Sequence, residues 1–158
     1  MVVAVLVLVF LVLFVQRLAS GDGVAAGEGA GTTAGVTSGP DASAADVASL
    51  GYSFQMPSGN IGCVMSEKSV LCAIRSFDYQ PPDVAGCTAD TGVAFRLDSA
   101  GTAHVCSTGT PEFGDAAQLP YGESRTVGEF TCTSSEAGIS CSNAAGQEFS
   151  LRRADFAL

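Results

Sequence analysis

The side chains able to do chemistry in this chain are few: six cysteines, a single histidine, and carboxylates scattered over glycine-rich connections. Cys63 and Cys72 enclose eight residues, and so do Cys132 and Cys141. A cysteine can be a nucleophile, a metal ligand or half of a disulfide, and spacing discriminates among these uses. Zinc sites draw on close C-x2-C or C-x4-C pairs with histidine support. Neither pair occurs here, and His104 is the only histidine. Eight intervening residues instead suit a β-hairpin whose cysteines face one another. Directly opposed, non-hydrogen-bonded positions bring Cα atoms to about 4.5 Å, within disulfide range. Six cysteines allow fifteen connectivities. Hairpin geometry favours the sequential set, Cys63 with Cys72, Cys87 with Cys106, and Cys132 with Cys141.

The remaining reactive groups form no catalytic pattern. Any Ser-His-Asp arrangement would need His104 as its base. That residue precedes Cys106 by two positions, on the same strand face, where a structural imidazole is expected. Asp98, Glu112, Asp115 and Glu136 read as solvated turn residues rather than a paired glycosidase site. Despite nineteen glycines, no phosphate-binding loop leads into a helix. The chain therefore reads as a non-enzyme, with no catalytic, cofactor-binding or metal residues.

The cysteines must be positioned by strands, since apolar and polar residues alternate in short runs rather than at helical spacing. Tyr52 to Met56 alternates before the breaker Pro57-Ser58-Gly59-Asn60. Ile61 to Met65 then pairs with Val70 to Ile74, placing Ser66 opposite Ser69 across a short turn. Gly128 to Cys141 repeats this plan, with Phe130, Cys132, Ile139 and Cys141 where the first copy has Ile61, Cys63, Val70 and Cys72. Five of the fourteen aligned residues are identical, including Gly59 with Gly128 and Glu67 with Glu136. Between the copies, Gly92 to Leu97 turns at Asp98-Ser99-Ala100-Gly101 into Thr102 to Cys106. A last strand, Gly146 to Arg152, puts Phe149 and Leu151 on one face, and Phe156 and Leu158 are expected to dock as a closing tail. These signals predict an all-β fold: a small, disulfide-stapled antiparallel β-sandwich or barrel built of hairpins, preceded by one N-terminal hydrophobic helix.

Three segments are expected: residues 1–19 as a hydrophobic export segment or membrane anchor, 20–50 as a flexible Gly/Ala/Ser/Thr linker, and 51–158 as the β domain. The apolar run Met1 to Val15 would span about 22 Å as a helix, against about 30 Å for a bilayer core. It fits a cleaved signal or, extended through Leu18 and Ala19, a single anchor. The formal net charge of −9 argues against nucleic acid and anionic lipid as partners of the folded part, leaving membrane contact to the N-terminal segment. Disulfides and an export segment together point to an extracytoplasmic, membrane-anchored or secreted protein.

The segments Phe54-x-x-Pro57-Ser58-Gly59-Asn60-Ile61-x-Cys63, Cys72-Ala73-Ile74, Leu119-Pro120-Tyr121-Gly122, Gly128-x-Phe130-x-Cys132 and Gly138-Ile139-x-Cys141 resemble an uncharacterised family of exported actinobacterial domains. The likeness covers roughly Phe54 to Leu158. It implies an envelope location and disulfides, and no activity. Ser107-Thr108-Gly109-Thr110 after Cys106, and Gly146-Gln147-Glu148-Phe149, depart from that family's pattern. Binding is the function class with residue support, through an aromatic, proline-stiffened loop containing Phe77, Tyr79, Pro81 and Pro82, together with Tyr121 in a second turn. The reading is a cell-envelope binding or structural module with an unidentified envelope or extracellular partner. The alternatives are an inhibitor-like module presenting a disulfide-clamped loop, or an unrecognised hydrolase.

Overall fold

The structure, a computed structural model, describes residues 44–158. The expected hydrophobic helix and most of the expected linker lie outside them. Among the described residues eleven strands follow in order. β1 (Ala45–Asp46) and β2 (Phe54–Gln55) are short; β3 (Ile61–Met65) and β4 (Ser69–Ile74) form the first hairpin, β5 (Asp90–Asp98) and β6 (Gly101–Thr108) the second. β7 (Ser124–Val127) precedes the hairpin β8 (Phe130–Ser135) and β9 (Gly138–Asn143), and β10 (Glu148–Arg152) and β11 (Phe156–Ala157) end the chain. No helix occurs among the described residues. The folded structure thus reaches back to Ala45, inside the stretch read as linker, and buries Val47 completely.

Two sheets result, in the orders β1-β6-β5-β4-β3-β2 and β11-β10-β9-β8-β7. All the pairings between named strands are antiparallel except β1 with β6, where Ala45 and Asp46 lie parallel to Ser107 and Thr108. Period-two alternation turns Ile61, Cys63 and Met65 inward from β3, and Phe130, Cys132 and Ser134 inward from β8. The inner faces of both sheets share one core, from Phe54, Ile74, Phe95 and Leu97 on one side to Phe130, Ile139, Phe149 and Leu151 on the other. Phe156 packs on this core as expected, whereas Leu158 is 47 % exposed because β11 ends at Ala157 and offers it no further rung.

The outer faces differ. On the six-stranded sheet, Val47, Ala73 and Ala94 form a second apolar cluster beneath Leu50, Tyr52 and Val105. Tyr52 leaves the face shared by Phe54 and Met56 to join it, donating its hydroxyl to the Val47 carbonyl at 2.9 Å. The connection after β6 lies over the same face. There Phe113 rests on the backbone of Gly62, where an added Cβ would come within 2.7 Å of the ring Cε1. The five-stranded sheet turns a hydroxyl-rich face to solvent, in rungs that run Ser124–Thr133–Ser140–Ser150 and Thr126–Thr131–Ser142. Ser124 bonds Thr133 at 2.8 Å and Thr126 bonds Thr131 at 2.9 Å.

Candidate functional site

The six cysteines close three bridges, Cys63–Cys72, Cys87–Cys106 and Cys132–Cys141, in the expected sequential set. Cys63 faces Cys72 with Cα atoms 4.1 Å apart, and Cys132 faces Cys141 at 4.0 Å. Across the two sheets, Cys72 Sγ touches Cys141 Sγ at 3.8 Å. Both sulfurs are oxidised and carry no proton, so this is a van der Waals contact between stacked bridges. Cys63, Cys72 and Cys141 bring their sulfurs within 4.8 Å of one another, the spacing of a metal cluster. In the disulfide state none of them is a thiolate able to ligate.

The structure divides the expected binding residues. Phe77 stacks on Tyr79 with centroids 4.3 Å apart, and Tyr79 meets Phe156 edge-on at 5.0 Å. The Tyr79 hydroxyl donates to the Gly92 carbonyl at 2.6 Å, and burial raises its pKa. Pro81 packs close to Gly92, whose absent Cβ would come within 3.3 Å of the Pro81 Cα; Pro82 is half-buried. Phe77 and Tyr79 thus close one end of the core. Tyr121, 40 % exposed, shares no ring contact with them among the described residues. His104 is held edge-on between Phe95 at 5.2 Å and Phe156 at 5.1 Å. Its Nδ1 is buried without a hydrogen-bond partner, so no carboxylate orients it, and desolvation lowers its pKa.

A concave site lies elsewhere, where the ends of the two similar hairpins meet. One wall is the turn between β2 and β3, with Ser58, Gly59 and Asn60; the other is the β8–β9 turn, Glu136 to Gly138, and Arg153 stands at the rim. Met56 and Ile61 form its apolar floor, and the volume is about 370 Å³. The first wall is stiff. Gly59 N–H donates to the Met56 carbonyl at 2.9 Å, and Met56 N–H to the Ile61 carbonyl at 2.8 Å. The side chain of Asn60 grips the Ser76 backbone twice, donating to its carbonyl at 2.9 Å and accepting its N–H at 3.0 Å. Arg75 donates to the Gly59 carbonyl at 3.2 Å and to the Pro111 carbonyl at 2.8 Å, with its guanidinium 4.4 Å above the Phe113 ring. The second wall is stiffened by Ser135, whose Oγ accepts the Gly138 N–H at 3.3 Å and donates to the Gly138 carbonyl at 3.0 Å. Ser66 makes the same pair of bonds to Ser69 in the first hairpin.

The repeated hairpins therefore face each other head to tail, each turn lying over the base of the other copy. At one end this arrangement is closed. An added Cβ on Gly128 would come within 3.2 Å of the Glu67 Cα and 3.5 Å of its carbonyl oxygen. At the other end it is open: Gly59, the counterpart of Gly128, has nothing within 4 Å of that position. Both glycines have positive φ, 67° and 58°, although Gly59 lies in the five-residue connection between β2 and β3 and Gly128 in the two-residue turn between β7 and β8. Sequence reasoning aligned the two hairpins but assigned no site to this end, because nothing in either copy states that they face each other. No family model, curated protein or solved structure matches the chain.

Proposed function

We propose that this protein is an extracytoplasmic binding domain of the exported actinobacterial kind it resembles, a disulfide-stapled β-sandwich whose binding site is the groove between the β2–β3 and β8–β9 turns. The observation that carries this reading is the open end: Glu67 packs against Gly128, whereas nothing lies within 4 Å of the Cβ position of Gly59, and a groove over Met56 and Ile61 is left there. Concave sites with an apolar floor and a few polar rim groups are the usual places for ligands. The Pro57-Ser58-Gly59-Asn60-Ile61 segment, central to the family resemblance, builds one wall. Three disulfides are consistent with an oxidising, extracytoplasmic location.

Ala137 is exposed at the tip of the second wall, so a large side chain there fills the groove without entering the core. Immobilised wild-type chain and its Ala137→Trp variant are to be compared on envelope extract. Material held by the wild type and released by the variant is expected; equal retention by both would reject the groove as the site.

A further inference from the structure

We propose that Cys87–Cys106 is an exchangeable disulfide, a latch on residues 82–89 that a dithiol opens by attacking the Cys87 sulfur. The three bridges differ in access. Cys63, Cys72 and Cys132 are completely buried and Cys141 is 1 % exposed, so the folded protein shields both hairpin bridges. Cys87 is only half-buried, whereas its partner Cys106 is 4 % exposed. Exposed disulfides are the labile ones, and exchange depends on which sulfur an incoming thiolate can reach. None of the residues lining the groove comes from this segment, so the latch is separate from that site.

What the bridge holds follows from the bonds around it. Among the described residues, 82–89 make no hydrogen bond to another part of the chain; the Cys87 N–H goes to the Val84 carbonyl at 3.0 Å, inside the segment. The oxidised Cys87 sulfur carries no proton to donate to the Ala89 carbonyl 3.3 Å away or to that of Asp90. Val84 belongs to neither apolar cluster. The segment starts after Pro81, which rests on Gly92, and ends before Asp90, which pairs with Ser107. The sheet is interrupted at the same place. Its register passes from Asp90 opposite Ser107 to Ala94 opposite Val105, so Thr91, Gly92 and Val93 bulge against the single residue Cys106. The disulfide thus fastens the foot of β5 where rungs of the ladder are missing. In the exchange, one thiolate of the dithiol bonds to Cys87 Sγ as the bond to Cys106 breaks, and Cys106 leaves as a thiolate. The reagent's second thiolate then displaces Cys87 and closes the reagent's own disulfide. Two electrons pass from the dithiol to the bridge, and its two protons end on the cysteines. Residues 82–89 are released, while β5 and β6 keep their regular pairing from Ala94–Val105 to Asp98–Gly101.

The test treats the full chain in native buffer with graded dithiothreitol, alkylates it with N-ethylmaleimide, and maps the labelled cysteines by peptide mass, with deuterium uptake measured on parallel samples. Cys87 and Cys106 are expected to be alkylated at least about tenfold faster than the other four cysteines. Uptake should rise in residues 82–91 as the bridge opens and stay unchanged from Ala94 to Val105. Glutathione, a monothiol supplied in limiting amount, carries out only the first step and should be found on Cys87. Alkylation of all six cysteines at one rate would overturn the proposal. So would an opened bridge that leaves uptake in 82–89 unchanged, since the disulfide would then latch nothing. Glutathione trapped on Cys106 instead would overturn the assigned direction of attack.

Discussion

His104 shows how one residue's chemistry is decided by its neighbours. As the only imidazole in the chain it was the one candidate base, yet Phe95 and Phe156 enclose it and its Nδ1 lacks a partner. Desolvation holds its pKa below the ordinary 6.5, so the folded protein takes up the proton less readily than the unfolded chain. The stability His104 confers is therefore complete above pH 6.5 and is lost as pH falls through its lowered folded pKa. Replacement by phenylalanine keeps the edge-on ring contacts and removes both the proton and the unpaired nitrogen. His104→Phe is expected to unfold at the same or higher temperature than wild type at neutral pH. It should also lose less of that stability as pH falls below 6.5, read from melting midpoints at each pH. An unchanged slope would place the acid sensitivity elsewhere.

The informative contrast between elements is that of the two hairpins. Both carry a glycine at the base, with φ of 67° at Gly59 and 58° at Gly128, so alanine at either position pays the left-handed backbone penalty of about 1 kcal/mol. Only at Gly128 does the new methyl also meet the Glu67 backbone, at 3.2 Å from its Cα. Gly128→Ala is expected to cost about 1–3 kcal/mol more than Gly59→Ala, the usual range for an overpacked contact. Denaturant midpoints of the two variants measure the difference. Equal losses would mean that the turn of the first hairpin yields freely, and the distinction between a closed and an open end would fail. The straps on the outer face follow the same logic of close approach. Phe113 reaches the sheet because Gly62 has no side chain, and Arg75 holds that connection through the Pro111 carbonyl and the face of the Phe113 ring.

Across the whole molecule, the two hairpin disulfides behave as one central feature, because Cys72 and Cys141 stack in the shared core with sulfurs 3.8 Å apart. Each closes its own short loop, and the loops do not overlap, so their effects on the unfolded chain are independent. Any coupling between them therefore reports the contact in the folded state. Replacing Cys63 and Cys72 together by alanine is expected to cost about 2–5 kcal/mol, and replacing Cys132 and Cys141 a similar amount. Removing all four should cost less than the sum by about 0.5 kcal/mol or more, since the sulfur contact is lost once rather than twice. Additive costs from denaturant unfolding of the three variants would show that the bridges act separately.

The sequence by itself determined whatever depends on near neighbours along the chain. Cys63 and Cys72 are far enough apart to span a hairpin and close enough to face each other within it, so their spacing fixed both register and bridge, and the same held for Cys132 and Cys141. Alternation placed Phe149 and Leu151 inward for the same local reason. Only the tertiary structure decided which hairpin faces which. The turn at Glu136 meets the base at Gly59 through the packing of separate sheets, and no residue in either segment encodes that partner alone. Phe77 and Tyr79 likewise read from the sequence either as a binding loop or as a cap on an open end of the core, and Phe156, arriving from the other end of the domain, decides for the cap. Local geometry is written in spacing, whereas a groove exists only where two distant surfaces come close without quite meeting.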